Sequence, residues 1–250
     1  MMNMTETVKQ LLIINVLFYI GSYFVPQSYD LLSLHYFESD GFKFWQPITH
    51  MFMHSKHSLL HIFFNMFALV SFGSALEHFW GAKKFLFFYF SCGIGAAFAH
   101  SGVNYYYFHD GLNMLVENGV EKSEIISTLS QGMYNKVWEE IIPVSSVKNM
   151  IEAYVGAAVG ASGAVYGLLV AFAFMFPNAE LMMMFIPVPV KAKYFVPVIV
   201  LLDLFSGVTG ISLFGGGNIA HFAHVGGALI GFIMMWYWKK NQFNQNRWDR

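Results

Sequence analysis

Six long apolar segments constrain the fold more than any other feature of the sequence. They lie at about 8–25, 58–77, 82–100, 155–176, 194–213 and 219–238. A helix needs roughly 20 mostly apolar residues to cross a ~30 Å hydrocarbon core, and each segment reaches or approaches that length. Only 12% of the 250 residues are charged, against about 25% in a soluble domain. We therefore predict an all-α membrane protein with six transmembrane helices, which excludes a water-soluble enzyme.

Charge and cysteine content exclude further classes of protein. The formal net charge is −1 and only two residues are Arg, so the chain has no basic face for nucleic acid. A single Cys excludes a disulfide framework and a cysteine-based metal site. No internal repeat is visible, which argues against an inverted-repeat transporter.

The distribution of Lys and Arg predicts the topology. Nine of the fourteen cations lie in the N-terminal segment, near 78–84, in 177–193 or after 238, and cytoplasmic connections are the ones enriched in Lys and Arg. We expect both termini to be cytoplasmic, with the loops 26–57, 101–152 and 206–218 facing outward. The first segment is expected to be a retained helix, because Pro26 and aromatic residues stand where a signal peptide has small ones.

This topology gives one domain and a tail. Residues 1–240 are predicted to form the membrane domain, with 101–152 as an extracytoplasmic insertion, and 241–250 a short polar cytoplasmic tail. The insertion carries seven acids and three Lys, and we expect it to cap the bundle.

Polar side chains inside spans are costly and are therefore candidates for function. The informative ones are His61, Asn65, Ser162, His221 and His224, and the weaker ones are Asp203 and Glu77. At ~1.5 Å per residue, Ser162 and His224 each lie about 22 Å above the cytoplasmic end of their helices, and His61 about 24 Å. Three polar residues that are distant in sequence therefore share one depth in the outer third of the bilayer.

Small residues surround two of these candidates. Gly160, Ala161, Gly163 and Gly167 flank Ser162, and Gly227 and Gly231 follow His224. Such spacings let helix backbones approach closely in lipid, which by itself is ordinary helix packing. Close approach is also what a hydrogen bond between Ser162 and a histidine base requires. His61 and Asn65, at i and i+4, share a helix face from which they are able to donate to an oxyanion.

The histidine series offers a different interpretation. His50, His54, His57 and His61 recur at spacings of four and three residues, which is compatible with a metal cluster. However, there is no His-Glu-x-x-His motif, and the first three precede the span in a Pro-interrupted segment. We favour structural hydrogen bonding for these residues and expect no metal.

In combination, these motifs resemble the rhomboid family of intramembrane serine proteases. They are His61-Ile-Phe-Phe-Asn65 in the second span, Gly160-Ala161-Ser162-Gly163 at the start of the fourth, and His224-Val225-Gly226-Gly227 with Gly231 in the sixth. The resemblance covers roughly residues 8–238. It departs from the family pattern at Trp45-Gln46, where many relatives have Trp-Arg, and in the length of the 101–152 insertion.

The resemblance implies a function and a role for each residue. Ser162 would be the nucleophile and His224 the general base, a dyad with no acidic third member. His61, Asn65 and the Ser162 N–H would form the oxyanion hole, and Tyr166 would pack against the base. The resemblance assigns the base to His224 and not to His221, because the family pattern has glycines three and seven residues after the base, and Gly227 and Gly231 stand at these positions after His224. The supporting residues are Gly160, Ala161, Tyr166, Gly227 and Gly231.

The resemblance also implies partners and a location. The substrates would be transmembrane proteins, cleaved without a cofactor near the outer face of a lipid bilayer, and no nucleic acid is expected. We expect an integral multi-pass protein of the bacterial inner membrane. The alternative is a catalytically inactive relative that binds or escorts membrane proteins. The sequence gives no oligomeric state.

Overall fold

The computed structural model describes residues 4–183, 186–211 and 218–241, and the chain is mostly helical there. The helices and strands, in chain order, are α1 Glu6–Phe24, α2 Gln27–Leu32, α3 Gln46–Thr49, α4 Leu59–Ala68, α5 Ser74–Trp80, α6 Ala82–Glu117, α7 Lys122–Ser130, α8 Trp138–Ile141, α9 Val144–Val155, α10 Ser162–Met175, β1 Glu180–Met183, β2 Ile186–Lys191, α11 Ala192–Thr209 and α12 Asn218–Asn241. A π-helical turn, Leu69–Gly73, joins α4 to α5. Most of the predicted tail 241–250 and part of the predicted loop 206–218 lie outside the described residues.

Four of the described helices are long and apolar enough to cross a membrane. They are α1, the continuous helix Leu59–Trp80, α6 and α11, while Ser162–Met175 is apolar but shorter. The helix α12 occupies the sixth predicted segment and has 24 residues. The structure is thus that of a helical, multi-pass membrane protein.

The helices α6, α10 and α12 form the centre of the bundle. Glycines allow this packing, because a methyl group at Gly227 would overlap the backbone of Gly163, and one at Gly231 would lie 2.8 Å from the Cα of Gly167. The backbones of α10 and α12 are therefore in direct contact along one side. This contact brings the start of α10 next to the first turns of α12.

The third helix is longer than the predicted span 82–100. The helix α6 has 36 residues and continues without a break to Glu117. Hydropathy marks only the lipid-embedded part, whereas residues beyond 100 keep an apolar face that packs on α9. The helix therefore continues past the predicted span into the predicted insertion 101–152.

The C-terminal half of α6 and helices α7 to α9 form a small helical unit, which we call the cap (residues 101–155). It has its own hydrophobic core, to which Tyr36 of the 26–57 loop contributes. The Nε2 of His109 lies 3.0 Å from a carboxylate oxygen of Glu38 in the same loop. The cap is therefore attached to the 26–57 loop by a shared core and a polar contact. Its main buried side chains are Phe108, Leu112, Leu115, Ile125, Leu129, Trp138, Val147 and Met150.

Gln46 organises the 26–57 loop. Its side chain is buried, its Nε2 donates to the carbonyls of Leu31 and Gly41, and its Oε1 accepts from the N–H groups of His35 and Lys43. A neutral amide side chain therefore holds the loop together at the position where the family pattern has Arg.

The link between α10 and α11 is not all irregular. It contains an antiparallel hairpin in which Glu180 pairs with Lys191 and Leu181 with Val190. This hairpin is the one departure from the all-α prediction among the described residues.

Candidate active site

Ser162 is the first residue of α10, not an interior residue of a helix from 155 as predicted. Gly160 has φ +126°, a conformation that interrupts a helix and that a residue with a Cβ rarely adopts. Upstream, Ala158 and Leu34 exchange both backbone hydrogen bonds of an isolated bridge. These features prevent α10 from beginning before Ser162. The Ser162 N–H is therefore among those at the helix start that have no intrahelical partner.

The turn before Ser162 is fixed from the other side by the 26–57 loop. The N–H of Gly160 donates to the carbonyl of His50, with an N–O distance of 3.0 Å. The imidazole of His50 is buried and its Nδ1 lies 2.9 Å from the carbonyl of Gln46. The loop therefore sets the position of Gly160, and through it that of Ser162.

His224 contacts Ser162 directly. Its Nε2 lies 2.8 Å from the Ser162 Oγ, a hydrogen-bonding distance for a nucleophile and its base. Tyr166, one turn along α10, stacks on the His224 ring with a centroid distance of 4.5 Å and an interplanar angle of 9°. The ring of His224 is thereby held between a hydroxyl at its edge and an aromatic ring on its face.

A carboxylate lies on the opposite edge of the same imidazole. The Oδ1 of Asp203, in α11, is 3.3 Å from the Nδ1 of His224 and 2.5 Å from the Nδ1 of His221. The hydroxyl of Tyr166 donates to its Oδ2. The resemblance implies a dyad with no acidic third member, whereas here a carboxylate lies within hydrogen-bonding distance of His224.

His61 has a defined tautomer. The backbone N–H of Ser55 donates to its Nδ1 over 3.1 Å, so the proton of the neutral ring is on Nε2. A methyl group at Gly160 would lie 3.0 Å from that Nε2 and 3.6 Å from the Ser162 Oγ. The donor of His61 and the nucleophile therefore flank the same glycine.

Asn65 lies one turn after His61 on α4. Its Nδ2 donates to the carbonyl of His61 over 2.7 Å, which uses one of two amide hydrogens. Its side chain is buried and its Oδ1 has no hydrogen-bond partner in the described residues. The second amide hydrogen remains for another acceptor.

The site is graded from exposed to buried. The side chain of His224 is 23% exposed, whereas those of His221 and Asp203 are 3% and 4% exposed. Ser162 is half-buried. Ser162 and His224 are thus partly accessible, while the carboxylate behind them is shielded.

Among the described residues, Asp203, His221 and His224 are the group that has the donor atoms for a metal ion. Two ligands at 2.0–2.1 Å on a tetrahedral ion stand about 3.3 Å apart. The 2.5 Å between Asp203 and His221 is shorter than that separation, so these two atoms contact each other directly. The described part of the His50–His61 series contains no comparable group, so a metal cluster there, the alternative raised above, has no support.

The structure brings together most residues singled out in the sequence. The residues that converge at the N-terminal ends of α4, α10 and α12 are Ser162, His224, Tyr166, His61 and Asn65, and Gly160 lies between them. Asp203 was predicted to be only a weaker candidate, although a carboxylate within a transmembrane segment itself indicates a functional site. His221 contacts Asp203 and not Ser162.

The fold and the site define a helical membrane protein with a hydrogen-bonded serine and histidine inside its bundle. A family model for the rhomboid domain matches residues 41–116 and 127–241. The chain belongs to the rhomboid family. The gap between the two matched ranges falls inside the cap.

One curated relative is Rhomboid protein 1, mitochondrial, from Saccharomyces cerevisiae. It is 30% identical to this chain over 152 residues, which are 59% of this chain and 41% of the relative. The chain thus spans less than half the length of that relative. The expected bacterial inner membrane finds no support in a relative whose name places it in mitochondria.

Proposed function

We propose that this protein is an intramembrane serine endopeptidase in which Ser162 is the nucleophile and His224 the general base. The observation that carries the proposal is the 2.8 Å contact between the Ser162 Oγ and the His224 Nε2. A serine hydroxyl is a weak nucleophile until a base removes its proton. Family membership agrees with this role, because rhomboid proteins are generally serine proteases of the membrane.

The proposed reaction has two stages. Ser162 attacks a peptide carbonyl while His224 takes its proton, and the protonated His224 then gives that proton to the leaving amine. Water attacks the acyl-enzyme next while His224 takes its proton, and His224 then gives that proton to the Ser162 oxygen as the bond to the acyl group breaks and the carboxylic acid product leaves. The partial exposure of His224 supports entry of this water from the outer face.

The oxyanion formed in each stage needs donors that are already in place. The start of α10 contributes the N–H of Ser162 and the positive end of the helix dipole. The Nε2–H of His61 and the second amide hydrogen of Asn65 are the proposed side-chain donors. Such fixed donors act on charge that exists only in the transition state, so they favour the reaction and not merely substrate binding.

The substrates we propose are transmembrane helices that unwind near the outer face of the membrane. The chain would cross the membrane six times with both termini in the cytoplasm. The placement of Lys and Arg supports this orientation, and the position of Ser162 at one end of α10 supports cleavage near one surface.

The proposal is tested by covalent labelling and by cleavage. The purified protein should react with a fluorophosphonate serine-hydrolase probe and cleave a model transmembrane substrate. Ser162→Ala should abolish both activities, and His224→Ala should reduce both at least about 100-fold, because general-base catalysis contributes roughly 10²–10⁴-fold. Ser74→Ala is the matched control, since Ser74 is buried and lies in α5.

The inactive alternative gives a different result. A protein that only binds or escorts membrane proteins would fold and bind substrate, but would neither label at Ser162 nor cleave. Equal labelling of Ser162→Ala and the wild type would also contradict the proposed nucleophile.

A further inference from the structure

We propose that Asp203 is a positioning residue that holds His224 in the tautomer and orientation that the base requires. This inference rests on the proposed function and concerns a third group behind the Ser162–His224 pair. Its basis is the contact network around one carboxylate in α11, which reaches the base, the ring stacked on the base and a second histidine.

Asp203 accepts hydrogen bonds on both carboxylate oxygens. Its Oδ1 lies 3.3 Å from the His224 Nδ1 and 2.5 Å from the His221 Nδ1, and its Oδ2 accepts from the Tyr166 hydroxyl. An ionised carboxylate has no hydrogen to donate. Both Nδ1 atoms must therefore carry the protons of these bonds.

That requirement fixes the chemistry of the other ring nitrogen. A neutral imidazole with its proton on Nδ1 has a free lone pair on Nε2. The Nε2 of His224 is the atom 2.8 Å from the Ser162 Oγ. Asp203 thus selects the tautomer able to accept the serine proton, and the opposite tautomer would face Ser162 with an N–H.

The carboxylate also acts after the proton has moved. His224 then carries a positive charge, and Asp203 is 3.3 Å from its Nδ1 in a region shielded from water. Opposite charges interact more strongly where the effective dielectric constant is low. The same group therefore favours both the starting tautomer and the imidazolium that forms during attack.

This arrangement also gives His221 a distinct role. It is buried, it donates to Asp203, and its Nε2 has no hydrogen-bond partner in the described residues. Together with Tyr166 it supplies donors to a carboxylate that would otherwise be costly to bury. The two histidines of α12 are thus separated by function: His224 faces the nucleophile and His221 anchors the acid.

The test is the isosteric variant Asp203→Asn. An asparagine side chain is able to donate to the His224 Nδ1, which would put the ring proton on Nε2. We expect kcat to fall about 10²–10⁴-fold, because the same substitution lowers kcat roughly 10⁴-fold in a soluble serine protease. KM should change less than about threefold, and the rate of fluorophosphonate labelling should fall in parallel with kcat.

Matched variants separate positioning from stability. Glu77→Gln is the control, because Glu77 is also a buried carboxylate that accepts hydrogen bonds, but from α1 and not from the site residues. It should lower thermal stability and leave the kcat of the folded protein near that of the wild type. Asp203→Glu, which keeps an ionised acceptor, should be at least tenfold more active than Asp203→Asn. If Asp203→Asn does not fold, Asp203→Glu and Asp203→Gln provide the same comparison at equal size.

Distinct outcomes identify which idea fails. A wild type that neither labels nor cleaves contradicts the proposed function. A wild type that cleaves, with Asp203→Asn equal to it in kcat, contradicts the inference alone. Equal loss of kcat in the Glu and Asn variants would also overturn it. Loss of wild-type activity in EDTA that zinc restores would show that the cluster binds a metal and would overturn it too.

Discussion

At the scale of single residues, two imidazoles present opposite groups to one reaction centre. The Ser55 N–H occupies the Nδ1 of His61 and leaves Nε2–H as a donor. The carboxylate of Asp203 occupies the Nδ1 of His224 and leaves Nε2 as an acceptor. In the proposed mechanism, the backbone N–H and the carboxylate therefore determine which histidine donates to the oxyanion and which accepts the serine proton.

Asn65→Ala tests the proposed oxyanion donor. Removal of one such donor costs on the order of 10²–10³ in kcat in a soluble serine protease, and we expect about 10-fold to 100-fold here because His61 and the Ser162 N–H share the charge. KM should change little. Thermal stability should also change little, since the observed bond of Asn65 is to its own helix. Steady-state kinetics and thermal unfolding in detergent measure both quantities.

Asn15 offers a matched control for that variant. It is buried in α1, its Nδ2 donates to the carbonyl four residues earlier over 2.7 Å, and its Oδ1 has no partner in the described residues. Asn15→Ala should leave kcat unchanged. If Asn65→Ala keeps its kcat but unfolds at a much lower temperature, Asn65 is structural and its catalytic role is wrong.

The sequence indicated most of the candidate site but ranked Asp203 only among the weaker candidates. Residue type and shared depth singled out Ser162, His61 and His224, because polar side chains in lipid are conspicuous. Asp203 is on a fifth helix, and no spacing relates it to the other residues. Its contact with His224 depends on how α11 packs on α12, which a one-dimensional pattern does not contain.

At the scale of secondary structure, the difference from the sequence prediction that bears most directly on the candidate site concerns the start of α10. Residues 155–161 are apolar and small, so hydropathy includes them in the span. Their backbone is instead committed to the bridge with Leu34 and to the turn at Gly160. Hydropathy measures transfer to lipid, and it does not distinguish a helix from an irregular segment buried in protein.

The start of α1 is held by a side chain from another helix. Glu77, in α5, accepts from the N–H groups of Thr7 and Val8 at 3.2 and 3.0 Å and from the Thr5 hydroxyl. These N–H groups belong to the first turn of α1, which a helix leaves unpaired. Glu77 therefore caps α1 and fastens it to the second span.

Glu77→Ala should destabilise the bundle by about 1–3 kcal/mol, because buried donors lose their acceptor. Thermal unfolding in detergent measures the loss, and fluorophosphonate labelling at low temperature should still reach the wild-type extent. Glu6→Ala is the control, since Glu6 is an exposed acid in the same turn of α1. Equal stability of the two variants would show that the hydrogen bonds of Glu77 to α1 contribute nothing to stability.

At the scale of the whole molecule, the 26–57 loop connects the cap to the active site. Tyr36 lies in the core of the cap, and the carbonyl of His50 holds Gly160. The sequence predicted an outward loop and a cap but not this connection, because it depends on which aromatic side chains meet in space. The order of the apolar segments was predictable, since composition alone marks them.

Buried histidines in this loop predict a pH dependence of stability. Burial lowers the pKa of His50 and the pKa of His54 from 6.5 to about 4. Repulsion from a neighbouring imidazole contributes in the same direction, from His100 for His50 and from His61 for His54. Between these pH values the unfolded chain binds protons that the folded protein does not. Stability should therefore be constant above about pH 7 and fall as the pH is lowered towards 4, by up to about 1.4 kcal/mol per pH unit for each histidine.

The measurement is the unfolding temperature in detergent between pH 8 and pH 4.5. His54→Gln should flatten the decrease, because it removes one group that the unfolded state protonates. His57→Gln is the control, since His57 is exposed. A wild-type unfolding temperature that does not change across this range would contradict the prediction.

The late start of α10 has a consequence for the surrounding lipid. Its 14 residues rise only about 21 Å, whereas the hydrocarbon of an average bilayer is ~30 Å thick. A stretch shorter than the local hydrocarbon thickness is accommodated by thinning of the bilayer or by protein that covers the remainder. The missing length lies on the side of Ser162, where irregular backbone replaces helix. Because α10 lies at the centre of the bundle, other segments of the protein cover this remainder, and Ser162, the proposed nucleophile, lies at the junction between helix and irregular backbone.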